Sequence, residues 1–361
     1  MVTSSDPYAP LAQRHGYPDS VRYRRVLEFL MTSRQAAIVV ELPAPPEELA
    51  AKLDMPLETI KSELDTLFLK GVVFPKNFAT RENPRFAREI TQLHDASQSI
   101  LDLDVKIYSP EAKQELFRLW EDFCENEWYP DRIHILEKLD SPPLRVIPAY
   151  AAIKDLPDIM PSEDMREILR AQQVRALCSC TCRKRRTDLG MACEHSHDIN
   201  CFQFNRGAEY AITRGTGRLL SYEEALAIVD EIEQDGLVHN WRNDRAMAMT
   251  VMCHCCIDCC MIWRPVDTHG ANIGTYWAKS RFQAQVDQDL CIGCQGCVER
   301  CMFDAIEMVK VPGSKKLKAS IDAQKCYGCG ACVLKCDPIA LSMKTVRPPE
   351  HIPEAGQGFG H

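Results

Sequence analysis

The chain has 361 residues, enough for two or three domains, each with a core of its own. Its 45% hydrophobic and 26% charged residues argue against wholesale disorder, and a formal net charge of −8 argues against a general binder of nucleic acid or anionic membrane. Nineteen cysteines are the outlier. Residue 1 is followed by polar residues and prolines rather than an apolar signal core, and Arg34, Gln35 and Glu41 interrupt the run after Arg24 and Arg25. No stretch reaches the ~20 apolar residues of a membrane helix. The expectation is a cytoplasmic protein without membrane insertion, whose clustered thiols are metal ligands rather than disulfides.

In chain order, residues 1–18 read as a flexible N-terminus. A helix is predicted from Ser20 to about Thr32, with Tyr23, Val26, Leu27 and Leu30 on one face. "AAIVVEL" (36–42) reads as a strand, "PEELAAKL" (46–53) as a helix entered through proline, and Leu57, Ile60, Leu64, Leu67 and Phe68 recur at helical spacing up to Gly71. "VVF" follows as a strand. This order resembles the winged-helix family, and residues 19–82 are assigned to such a module. A DNA-reading role is not expected of it. The would-be recognition helix sets Lys61 and Lys70 against Glu58, Glu63 and Asp65, a balance that repels phosphate as much as it attracts it. Packing or docking is the expected use.

Residues 83–285 are read as a mainly helical, cysteine-rich middle domain. Leu116, Leu119, Trp120 and Phe123 form the clearest buried stripe, and Cys124 is a core thiol. "LRVIPAYAAI" (144–153) is strand-like, 161–177 reads as a helix, and 221–236 as a helix with a Ser221/Glu224 capping box. "RGTGR" (214–218) lacks the third glycine of a dinucleotide loop and reads as a plain turn. "RKRR" (183–186) either balances anionic clusters or faces solvent. His239 and His269 are read as structural.

An internal repeat stands at the C-terminus. "CIGCQGCVERC" (291–301) and "CYGCGACVLKC" (326–336) both read C-x2-C-x2-C-x3-C. Residues 286–346 resemble a two-cluster bacterial-type [4Fe–4S] ferredoxin, with 347–361 as a flexible tail. The resemblance implies that the fourth cysteine of each run crosses to the other cluster. Cys291, Cys294, Cys297 and Cys336 then hold one cluster, and Cys301, Cys326, Cys329 and Cys332 the other. The proline that usually follows the fourth cysteine is Met302 in one copy and is displaced to Pro338 in the other. The basic insert "KVPGSKKLK" (310–318) lengthens the hairpin between the halves, as a solvated loop or as a docking patch for an acidic redox partner.

Two more cysteine islands lie upstream, at 177–201 and in "CHCCIDCC" (253–260). Their ten thiols exceed the eight that two further cubanes need. Zinc competes here, since Cys with His195, His197 or His254 makes a tetrahedral donor set. The arrangement "CTCR…C…C", "GTGRLLSYEEAL", "GLVHN" and "CCxxCC" resembles a family of iron–sulfur proteins of anaerobes, over about 145–345. That resemblance implies Cys180, Cys182, Cys193 and Cys201 as one ligand set and Cys255, Cys256, Cys259 and Cys260 as another, with Cys178 and Cys253 spare. Ligands mixed between the islands remain an alternative.

The expected fold class is therefore α+β: winged-helix-like module, cysteine-rich middle domain, ferredoxin-like tail. The expected function is multi-cluster electron transfer, passing low-potential electrons to or from a partner oxidoreductase, with about sixteen iron and sixteen sulfide in four cubanes. Two rivals are a reductase with a substrate-accessible cluster and a redox-responsive regulator. No Ser-His-Asp or paired-carboxylate arrangement is evident, so no catalytic residue is assigned. No nucleic-acid partner is expected, and homo-oligomerisation is left open.

Overall fold

A computed structural model describes residues 6–99, 107–191, 193–198 and 201–357. The chain divides into two compact units, one of Met1–Tyr129, Cys178–Ala192 and Glu209–Arg218, the other of Pro130–Leu177, Cys193–Ala208 and Leu219–His361. The middle segment contributes to both units.

The first unit opens with α1 (Tyr8–Arg14), α2 (Val21–Leu30), α3 (Ser33–Val40), α4 (Pro46–Leu53) and α5 (Leu57–Leu69). Helix α1 corrects the expectation of a flexible N-terminus: Leu11 and Ala12 are buried, and the Tyr8 hydroxyl donates to the Met31 carbonyl at 2.9 Å. Helix α3 corrects the predicted strand at 36–42. Thr32 and Gln35 form a reciprocal capping box, and Ala36, Ile38 and Val39 are buried in helical register. A good cap and three core contacts outweigh the weak strand preference of Ile-Val-Val. After α5 the backbone turns back on itself, with an isolated bridge between Val73 and Phe86 and paired bonds between Phe74 and Arg85.

Helices α6 (Ile90–Ser99) and α7 (Pro110–Phe123) follow, and a π-helical turn at Cys124–Trp128 leads into α8 (Tyr129–Leu136). Tyr23 of α2 packs on Phe123 of α7 with ring centroids 4.9 Å apart. The core of this unit is thus the stripe the sequence predicts, with Cys124 fully buried beside it. Helix α11 (Thr181–Asp188) adds the "RKRR" run. The solvent-facing reading of that run does not hold for Arg183 and Arg185, which are buried. Arg185 lies 2.8 Å from the Glu121 carboxylate and donates to the Tyr129 hydroxyl at 3.2 Å.

The second unit is built on a seven-stranded sheet that the helical reading of residues 83–285 does not contain. Its strands are β1 (Leu144–Ile147), β2 (Arg175–Cys178), β3 (Cys201–Phe204), β4 (Arg218–Leu219), β5 (Val238–Arg242), β6 (Val251–Cys255) and β7 (Trp277–Ala278), in the order β4-β2-β3-β6-β5-β1-β7. β1 ends at Ile147 and gives way to α9 (Tyr150–Ile153). Residues 161–177, predicted as one helix, are a 3-10 turn, the short α10 (Met165–Arg170) and most of β2. The chain breaks after α10 because Gln172 turns its amide to the carbonyls of Ile168 and Met247, and the following residues enter the sheet. Helix α12 (Arg206–Arg214) precedes the turn at 215–217, and α13 (Tyr222–Asp235) has the predicted capping box and ends at Gly236. Phe202, Phe204, Trp241 and Met252 from the sheet pack with Ile168, Val229 and Ile232 from α10 and α13.

Beyond α14 (Arg264–His269) the repeat becomes visible in three dimensions. β8 (Phe282–Val286) pairs antiparallel with β11 (Leu341–Thr345), and β9 (Ile306–Val309) with β10 (Lys318–Ile321). The one-turn helices α15 (Gly296–Glu299) and α16 (Ala331–Leu334) carry the third cysteine of each run. Of the tail expected to be flexible, the part around residues 349–352 is anchored, with Ile352 buried and Arg245 donating to the carbonyls of Pro349 and Ile352 at 2.7 and 3.2 Å, and residues 358–361 lie outside the described residues.

Candidate metal centres

The repeat builds two small hollows, one in each half. Cys291, Cys294, Cys297 and Cys336 line the first, and Cys301, Cys326, Cys329 and Cys332 the second. The fourth cysteine of each run therefore faces the hollow of the other run, because the chain leaves α15 or α16 toward the opposite half. The cysteine loops are shaped by glycine where the backbone needs it. Gly293 and Gly328 occupy the same place in the two repeats, with φ of +72° and +71°. A Cβ on Gly293 would stand 2.3 Å from the Leu317 carbonyl oxygen, and one on Gly328 2.1 Å from that of Phe282.

The donor chemistry suits a cationic cluster. Burial pushes the Cys301 and Cys332 thiols above their ordinary range and Cys329 up to about 12. Iron supplies the positive charge that such buried thiolates require. Backbone N–H groups are already aimed at sulfur: Ala319 at Cys291 (3.5 Å) and Ala305 at Cys301 (3.4 Å). The two hollows differ in their surroundings. Around the first, Cys294, Leu290 and Ile292 are exposed, whereas the second is flanked by Phe303 and Tyr327, stacked 4.7 Å apart. The aromatic contacts continue from Phe303 to Trp277 and Trp263, three residues beyond Cys260. Each hollow is thus lined by the four cysteines that the ferredoxin resemblance groups together.

The upstream islands are grouped differently from the sets implied by resemblance. Cys180 caps α11 and Cys182 lies within it, in the first unit, while Cys193 and Cys201 belong to the second. Cys193 is 3.8 Å, sulfur to sulfur, from Cys256. Cys201 on β3 is directly across from Cys253 on β6. The set Cys255, Cys256, Cys259, Cys260 also divides. β6 ends at Cys255 and the chain turns sharply, which sends Cys256 and Cys259 into the hydrophobic core with Phe202 and Trp241. Cys255 instead meets Cys260 at 3.1 Å.

This second pair is electrostatically split. The Cys260 thiol is held below its ordinary range by its hydrogen bond with Cys255 and by the N–H of Ile262, 3.4 Å away. Hydrogen bonding with Cys253 and then with Cys260 pushes Cys255 up. Cys253, set aside as spare, therefore takes part. Cys178 is buried at the end of β2.

Among the described residues, none of the candidate histidines belongs to the group of donors close enough to share one metal ion. His195 pairs with Asp235 at 2.8 Å, and His197 with Asp198 at 2.8 Å. His254 and His239 bring their Nδ1 atoms to 2.6 Å, and His239 Nε2 lies 3.2 Å from Glu233. The residue that sequence reasoning missed is Asp258. Its carboxylate joins Cys193, Cys256 and Cys259 in a group whose donor atoms all lie within 4.8 Å of one another. The signal was present in "CCIDCC", where the aspartate sits between two candidate ligands.

Comparison with known proteins touches the repeat alone. Residues 290–338 match the model of a 4Fe-4S dicluster domain. No curated protein and no solved structure gives a significant match. The match supports [4Fe–4S] clusters and, with the many cysteines, iron–sulfur electron transfer as the coarse class of function. Among the described residues no helix is long and apolar enough to cross a membrane.

Proposed function

We propose that the protein is an intracellular electron carrier, passing low-potential electrons to or from a partner oxidoreductase through two [4Fe–4S] clusters in its C-terminal repeat. The observation that carries this reading is the pair of four-cysteine hollows, each completed by the last cysteine of the other run. Clusters bound there supply one-electron transfer. The protein's own part is to close the donor sets and tune them. N–H groups of Ala305 and Ala319 stabilise charge on sulfur, while Phe303 and Tyr327 keep water from the second site. The exposed Cys294 marks the first site as the one nearer a partner.

The segment at 19–82 is proposed as a winged-helix-like docking module, not a DNA reader. Several of its basic residues are paired with acids of the same segment: Lys61 lies near Glu58, Arg34 near Glu63 and Arg81 near Asp65. Pairing of this kind leaves little net positive charge for phosphates.

The anaerobically purified chain should carry about eight iron and eight sulfide in this repeat, four of each per cubane. Cys336→Ser decides the ligand sets. It should alter the EPR signal of one reduced cluster, the one held by Cys291, Cys294 and Cys297, and leave the other unchanged. A change confined to the cluster of Cys326, Cys329 and Cys332 would contradict the crossed arrangement. Absence of iron from the wild-type chain would end the proposal.

A further inference from the structure

We infer that Cys193, Cys256, Asp258 and Cys259 bind a single zinc ion, not an iron–sulfur cubane. The argument begins with spacing. Four thiolates of a cubane each bind a different iron, so their sulfurs stand apart around a hollow, and neither ferredoxin quartet gathers three or more donors within 4.8 Å of one another. Ligands of one ion must crowd together. With Zn–S near 2.3 Å, tetrahedral geometry sets neighbouring sulfurs about 3.8 Å apart. Cys193 and Cys256 are separated by 3.8 Å. All four donors lie within 4.8 Å of one another, and among the described residues no other group of three or more such donors closes to that spacing.

The donor set and its surroundings select the ion. Three thiolates and a carboxylate make a closed four-coordinate shell of the structural zinc type, without a vacant position for substrate. Cys259 is 1% exposed and Cys256 4%, and both belong to the hydrophobic core of the second unit. A divalent cation would balance the negative charge that three thiolates and a carboxylate bring into these apolar surroundings. The ion would tie Cys193 to the tight turn that follows β6. Zinc has no redox chemistry, so this centre would brace the second unit without carrying electrons. On binding, each thiol releases its proton to solvent and the carboxylate binds as the anion.

The test uses the full-length protein purified anaerobically from cells supplied with both iron and zinc. Metal analysis should find one zinc per chain that survives dialysis against EDTA, beside about eight iron and eight sulfide. Zinc-edge X-ray absorption should show three sulfur neighbours at about 2.3 Å and one oxygen at about 2.0–2.2 Å. Cys259→Ser should lower zinc content at least about tenfold while leaving iron, sulfide and the ferredoxin EPR signals unchanged. Should that variant fail to fold, Asp258→Cys decides, since it should keep zinc and convert the shell to four sulfurs. Iron and sulfide well above eight, with the excess lost in Cys259→Ser, would overturn the inference in favour of a cubane. A ninth iron in place of zinc would overturn the identity of the ion. Zinc that EDTA removes, or that is indifferent to both variants, is an adventitious ion only and equally defeats the site.

Discussion

Gly328→Ala is a one-methyl change aimed at the second cluster loop. The residue has φ of +71°, where an L side chain costs about 1–2 kcal/mol. Its new Cβ would stand 2.1 Å from the Phe282 carbonyl oxygen and 2.2 Å from Ser280 Oγ. A comfortable carbon–oxygen contact is about 3.3 Å, so the loop must retreat by roughly 1 Å. Phe282 cannot easily yield, because it starts β8 and is paired with Thr345 of β11. Ser280 is tied as well: its hydroxyl donates to the Gly328 carbonyl at 2.8 Å and accepts from Phe282 N–H at 3.2 Å. Losing both bonds adds about 1–3 kcal/mol, for a total of about 2–5 kcal/mol. At 1.4 kcal/mol per decade, the closed loop becomes roughly thirty- to several-thousand-fold less favoured. Iron and sulfide analysis with EPR should therefore show loss of one cluster, about four iron, with the other retained. Gly313→Ala is the control: its φ is +83°, yet nothing lies within 4 Å of the added Cβ. Full iron load and an unchanged EPR spectrum in Gly328→Ala would refute the reasoning.

Glu163 is fully buried against Arg281, with both carboxylate oxygens within 2.9 Å of the guanidinium. Glu163→Ala leaves that charge buried and unpaired, so a loss of about 3–5 kcal/mol is expected in urea unfolding; an unchanged midpoint would count against the pair. His94 is held below its usual value of 6.5, chiefly by burial, so the unfolded chain binds the proton more readily. Its contribution is complete above about pH 6.5 and fades as pH falls toward the folded value, and unfolding curves between pH 8 and 5 should flatten in His94→Gln. Duplex DNA should bind weakly and without sequence preference at physiological salt; a footprint on one promoter that responds to oxidation would restore the regulator reading.

Legibility in the sequence tracked how local the determining physics was. Helices α2, α4, α5, α7 and α13 could be read because periodic apolar positions and a serine or proline at the entrance lie within or next to each segment. The strand predicted at 36–42 failed because Ile-Val-Val suits either structure when buried, and the Thr32–Gln35 cap decides. The seven-stranded sheet escaped for a different reason. Its strands have two to five residues, too short for alternation to register, and their neighbours come from distant parts of the chain. β1, for example, pairs with β5 nearly a hundred residues later.

The same distinction separates the two kinds of cysteine site. In the repeat, three of four thiols per site sit on one short loop, so spacing alone specifies them, and only the crossing of Cys301 and Cys336 requires a second segment. In "CHCCIDCC" neighbouring thiols part company, because strand alternation holds up to Cys255 and is broken immediately afterwards. Cys253 and Cys255 follow the pleat of β6, and Cys256 and Cys259 turn into the core. Their partners are then chosen by the sheet: Cys201 by its place across from Cys253, and Cys193 by the approach of residues far back in the chain. Counting thiols, on which the expectation of two more cubanes rests, treats the crowd as interchangeable. The fold distinguishes them by direction, and it admits an aspartate that a cysteine count could not include.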